Sequence, residues 1–220
     1  MAVVRTFARN HLWSVLCLLG LVISTGHAPF SLWPVSLIFL SLALRLHEAH
    51  ERQKPSFKSS FKNGWWLGFG FFLGTLNWLV EPFLVDIATH GWMAPFAVAL
   101  VSGGLALFWG AGMSLGHILG GKLGCVIGLG LCEVARGYLF TGFPWGLLGY
   151  IWVDTPVAHL ASYFGAYGLT AITFGFCALL AQSFYVHRKI MGLGSLFLVL
   201  LAVWILGNTV RPTYTAPEHA

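Results

Sequence analysis

This sequence is short of charge. Only 9% of its 220 residues are Asp, Glu, Lys or Arg, against 57% hydrophobic, and the mean hydropathy is +0.79. A soluble domain of this length cannot hide so much apolar surface, so lipid is the expected solvent for most of the chain. Cysteine is scarcer still. The four thiols, at positions 17, 125, 132 and 177, form neither a CxxC pair nor a Cys/His metal spacing. No metal site and no cofactor is therefore expected, and the thiols read as small buried hydrophobes. Internal repeats and low-complexity tracts are also lacking.

What is present is a series of long apolar stretches. A membrane helix needs roughly 20 mostly apolar residues. Seven stretches qualify, at about 11–26, 32–46, 64–84, 92–119, 123–140, 156–186 and 190–207. The first imitates a signal peptide, with Arg5 and Arg9 ahead of an apolar run. Cleavage after Ala28 would leave Pro29 at the new terminus, so the segment reads as a retained first helix. Basic residues set the orientation. Arg5, Arg9, Arg45, Arg52, Lys54, Lys58, Lys62, Lys122, Arg188 and Lys189 all fall on alternate sides of the seven stretches, and only Arg136 and Arg211 fall on the other. The fold expected is an all-α membrane protein: a bundle of about seven transmembrane helices, N-terminus cytoplasmic and C-terminus periplasmic. Residues 1–207 would form the helical domain, and 208–220 a linker-like periplasmic tail. The basic balance then reflects an anionic membrane surface as partner, with no role for nucleic acid.

Glycines at four-residue spacing, the pairs Gly64/Gly68 and Gly70/Gly74, then Gly112, Gly116, Gly120, Gly124 and Gly128, predict close helix packing in lipid. The spacing over 68–74 does not fit a dinucleotide fingerprint, and no strand precedes it. Trp33, Trp92, Trp145 and Trp152 lie near expected outer boundaries, where amphipathic rings belong.

The most informative stretch is LCEVARGYLFTGFPWGLLGY, residues 131–150. Glu133 and Arg136, three apart, share one helix face. An ionisable residue in a membrane helix costs roughly 2.5–3.5 kcal/mol on insertion scales, and pairing lowers that. The pair reads either as a structural ion pair near the outer interface or as a polar floor for a lipid headgroup or peptide terminus, with Arg136 suited to phosphate. Thr141-Gly-Phe-Pro-Trp145 is the non-helical exit, because Pro144 lacks an N–H and pushes Phe143 towards extended geometry. Asn77, Trp78 and Glu81 close the third stretch on the same side. The candidate lipid- or substrate-binding set is Trp78, Glu133, Arg136, Phe143, Pro144 and Trp145. No catalytic residue is nominated: Cys132 neighbours Glu133 but sits within a helix with no base oriented on it.

The Glu-x-x-Arg and Thr-Gly-Phe-Pro-Trp elements of this stretch resemble a signature of the apolipoprotein N-acyltransferases. GWWLGFGFFLGTLNWL (64–79) is similar to that family's third helix, and HAPFSLWPVSL (27–37) to its first outer loop. The resemblance implies a bacterial inner-membrane enzyme of lipoprotein maturation. Such enzymes move an acyl chain from a phospholipid to the amino group of a diacylglyceryl-cysteine through a thioester. It also implies that the Glu, Lys and Cys of that chemistry belong to a nitrilase-like periplasmic domain after the seventh helix. Here the sequence gives GNTVRPTYTAPEHA and stops. The expectation is the membrane half of such an enzyme, truncated or split, inactive alone, and partnered by the phospholipid membrane, a diacylglyceryl lipoprotein and a separate nitrilase-like domain. A non-enzymatic membrane scaffold or lipid-binding protein is the alternative, and a small transporter a weaker one, since charges are missing from the expected midplanes, where transport sites lie.

Overall fold

The structure, a computed structural model, describes residues 11–183 together with Leu201, Trp204, Ile205, Asn208 and Thr209. Most of the expected 190–207 span and of the 208–220 tail lies outside the described residues, as do Arg5, Arg9, Arg188, Lys189 and Arg211. Among the described residues every regular element is helical. Six longer helices, α1 (Leu12–Ser24), α2 (Trp33–Gln53), α3 (Phe57–Thr75), α4 (Ala94–Leu119), α5 (Gly121–Tyr138) and α6 (Ala161–Ser183), are joined by single-turn and 3-10 segments. Ile87–Leu119 and Pro156–Gln182 are long and apolar enough to cross a membrane. The pair Phe57–Thr75 and Asn77–Leu84, bent by 63°, would make a third span.

Two boundaries differ from expectation for visible reasons. α2 runs on past residue 46 to Gln53, so His47, Glu48, Glu51 and Arg52 sit on helix and not in a loop. The expected 64–84 helix instead begins at Phe57 and breaks after Thr75. The Thr75 hydroxyl bonds back to the Phe71 carbonyl at 2.5 Å, an arrangement that bends helices, and Pro82 offers no N–H to rebuild the ladder. Prolines elsewhere sit in the first helical turn of α2 and α4, where the missing N–H would be unpaired anyway.

The helices pack in a closed circuit, α1 on α3, α3 on α4, α4 on α5, α5 on α6, α6 on α2 and α2 back on α1. Glycines make the tightest of these joints. A Cβ on Gly128 of α5 would strike the Gly112 carbonyl of α4, so the two backbones touch there. Gly120 departs from the expected packing row. It ends α4 with φ 78°, and a Cβ on it would meet nothing within 4 Å, so it is a turn residue. Inside the circuit, Phe71 stacks on Trp109 with ring centroids 4.8 Å apart, and Phe72 and Phe174 meet the same indole edge-on. Trp152, expected at the outer boundary, is buried instead. Its indole N–H donates to the Thr173 hydroxyl at 2.8 Å, and Trp33 packs against it at 5.3 Å. Trp92 and Trp145 are exposed.

Candidate functional site

Glu133 and Arg136 lie in the last two turns of α5. Three-residue spacing puts them one above the other, and the Arg136 guanidinium donates to Glu133 Oε2 at 2.6 Å. Each side chain is only 1% exposed, so the pair does not lie at a wet boundary but inside the helix circuit. A buried ion pair needs further partners for its remaining lone pairs and protons, and of this pair's polar atoms the Arg136 Nε alone has none among the described residues. Here the Trp109 indole N–H, from α4, donates to Glu133 Oε1. The second nitrogen of the guanidinium donates to two backbone carbonyls, Phe143 at 2.7 Å and Trp145 at 2.8 Å. The Phe72 ring lies under the guanidinium carbon at 5.0 Å, a cation–π contact.

Those carbonyls explain why the charges stand next to the turn. Residues 142–147 are not helical, with Gly142 and Gly146 in the left-handed region at φ 82° and 68°, so their carbonyls have no ladder to bond. Arg136 supplies donors for two of them. His27, from the loop between α1 and α2, supplies a third through Nε2 to the Leu147 carbonyl at 3.0 Å. A carbonyl only accepts, so Nε2 carries the proton. Burial pushes the His27 imidazole below its ordinary range, although its backbone hydrogen bonds to Leu147 and Ser24 oppose this.

The fastened turn presents aromatic rings. Phe143 packs edge-on against Trp145 at 5.1 Å, and Trp145 meets Trp78 at 6.4 Å. Both tryptophans are about half exposed, at 45% and 53%. Phe140 stands on the same loop with φ 53° and its ring in the open. On the same end of the bundle, the Ser31 hydroxyl donates to Asp154 at 2.5 Å. The structure thus brings Trp78, Glu133, Arg136, Phe143 and Trp145 into one contiguous set, and Pro144 lies between two of its members. It divides them by depth: Glu133 and Arg136 lie beneath the turn and the Trp pair lies on it.

Trp109 and His27 complete this site, and sequence reasoning missed both. Trp109 lies 24 residues from Glu133 in an apolar run, and His27 lies 120 residues from Leu147, so neither contact leaves a local signal. The one available hint was a polar imidazole within HAPFSLWPVSL. Cys132 faces no base from its neighbour, because both Glu133 oxygens are engaged by Trp109 and Arg136.

The apolipoprotein N-acyltransferase N-terminal domain matches residues 19–179. Similar relatives include the apolipoprotein N-acyltransferase of Caulobacter vibrioides, 43% identical over 161 residues, covering 70% of this chain and 30% of the relative. The corresponding protein of Rhodopseudomonas palustris is 35% identical over 163 residues, covering 71% and 30%. That of Rhizobium etli is 33% identical over 168 residues, covering 73% and 31%. The chain therefore spans about 30% of the length of these relatives. With the match reaching from α1 into α6, this chain belongs to the apolipoprotein N-acyltransferase family, in which it corresponds to the N-terminal domain.

Proposed function

We propose that these residues form the membrane-embedded, substrate-presenting part of an apolipoprotein N-acyltransferase of the bacterial inner membrane, and that acyl transfer itself is carried out elsewhere. One observation carries the reading: Arg136, held by its buried pairing with Glu133, donates to the carbonyls of Phe143 and Trp145, and so holds Trp145 out beside Trp78. Rings in that position are suited to the acyl chains and glyceryl head of a phospholipid or a diacylglyceryl-cysteine. In this proposal Trp78, Phe143, Pro144 and Trp145 touch the lipid, and Glu133 and Arg136 position them. The Glu133 carboxylate is already committed to Trp109 and Arg136, which supports leaving the nucleophile to a separate nitrilase-like domain. The test is binding of a diacylated lipopeptide to the purified chain in detergent. Trp78→Ala with Trp145→Ala should lower affinity about tenfold, on the scale of losing buried aromatic contacts, with thermal stability held. Unchanged affinity would refute the assignment.

The proposal extends to topology: about seven spans, basic end in the cytoplasm, and the Phe143–Trp145 turn facing the periplasm. The basic residues support it, and so does the grouping of loops. The 45–62 region meets the α4–α5 turn through Glu51–His117 at 2.7 Å and Glu48–Lys122 at 3.6 Å, at the opposite end of α5 from Arg136. Alkaline phosphatase fused after Trp145 should be active, and fused after Lys58 silent. The reverse pattern would overturn the orientation. A scaffold without a part in acyl transfer is the alternative, and complementation separates the two.

A further inference from the structure

At the end of the bundle away from the Phe143–Trp145 turn, a cavity of about 440 Å³ lies between α2 and α5, with α6 packed against both. Its inner wall is apolar, formed by Leu44, Val126, Leu129, Phe174 and Ala178. Its rim is the reverse, carrying His47, Glu48, Glu51, Arg52, His117 and Lys122. Both signs occur on that rim. Glu48 lies 2.8 Å from Arg52 and 3.6 Å from Lys122, and Glu51 accepts from the Ser60 hydroxyl at 2.5 Å and contacts His117 at 2.7 Å. Asn63 donates to His47 Nδ1 at 3.2 Å, which leaves the proton on Nε2 and makes that nitrogen a donor. Burial alone would raise the Glu51 carboxyl, but the hydrogen bonds from Ser60 and His117 outweigh it, so Glu51 stays below its ordinary range and ionised. The lip between α4 and α5 is Gly120–Gly121, both at positive φ, where a Cβ would meet nothing within 4 Å.

The volume falls within the roughly 300–1,000 Å³ of small-ligand sites. An apolar interior under a rim of mixed charge selects one chemical class. A wholly apolar ligand would strip water from the rim ion pairs and give nothing polar in return, and a purely anionic head would meet two carboxylates. We propose that this cavity binds a zwitterionic phospholipid: its ammonium group taken by Glu48 and Glu51, its phosphate by Arg52 and Lys122, and an acyl chain lying against Leu129 and Phe174. This site is separate from the aromatic turn and does not depend on the function proposed for it. It would hold a lipid of the opposite leaflet and brace α2 against α5, which otherwise meet chiefly through α6.

Native mass spectrometry of the purified chain tests this with three probes: dioleoyl phosphatidylethanolamine, dioleoyl phosphatidylglycerol and soluble phosphoethanolamine. The expected result is one retained phosphatidylethanolamine, held about tenfold more tightly than phosphatidylglycerol, as for a hydrogen bond to a charged group, and no retention of phosphoethanolamine. Ala178→Trp, which fills the interior, and Lys122→Glu, which alters the rim, should each weaken retention by about the same factor. Trp145→Ala should leave it unchanged. Should Ala178→Trp fail to fold, Lys122→Glu decides alone. Equal retention of both lipids, binding of the soluble head alone, indifference to Lys122→Glu, or loss only in Trp145→Ala would each overturn the proposal, and the last would assign the lipid to the aromatic turn.

Discussion

Both ends of the bundle place acids against bases on helices, but the surroundings give these pairs different work. At the turn end, Glu133 and Arg136 are dry and are held by fixed groups: an indole, each other and two backbone carbonyls. At the basic end, Glu48 and Arg52 form an i,i+4 pair whose Arg side chain is 63% exposed. Water and salt screen such a pair, and its worth falls to the level of other surface ion pairs. The same chemistry therefore acts as a structural fastener where it is buried and as an exchangeable rim where it is open. Burial, not the identity of the charges, sets the difference.

The comparison breaks most sharply at Arg136. Arg136→Gln strands the Glu133 carboxylate in an apolar interior and removes donors from the Phe143 and Trp145 carbonyls. A loss of about 3–5 kcal/mol is expected from removing one member of a buried pair. Glu133→Gln should also destabilise, and the double variant should recover part of the loss, because no uncompensated charge remains. Thermal unfolding in detergent reads all three, and strictly additive effects would mean that the two residues do not form one unit. The smallest effect belongs to the other end. Glu48→Gln should cost about 0.2–1 kcal/mol, the range of exposed pairs, and the cost should shrink as salt is raised. A cost as large as that of Arg136→Gln, insensitive to salt, would erase the contrast between the two ends.

How much of this was legible in the sequence follows the range of each interaction. The Glu133–Arg136 pair was readable because three-residue spacing on a helix is a local rule. The adjacent turn was readable because glycine and proline mark it directly. The depth of the pair was not. It is set by Trp109 and Phe72 arriving from α4 and α3, and the hydropathy of either stretch looks the same whether it faces lipid or the interior. Trp152 misled for the same reason: an indole near a helix boundary suits an aromatic belt, and only the contact with Thr173 shows that it points inward. The cavity was invisible at the sequence level, since its wall and rim together come from four helices. Four of its polar residues, His47, Glu48, Glu51 and Arg52, read as part of the solvated loop that α2 in fact extends into.

The central proposal is that this chain fastens and presents a substrate-binding turn for an acyl transfer performed elsewhere. Complementation of an acyltransferase-depleted bacterium addresses it most directly, with the chain expressed alone, with the remaining C-terminal part of the Caulobacter vibrioides relative expressed alone, and with both together. The account predicts growth only when both are present, and loss of that growth when the chain carries Arg136→Gln. Growth supported by these 220 residues alone would contradict it.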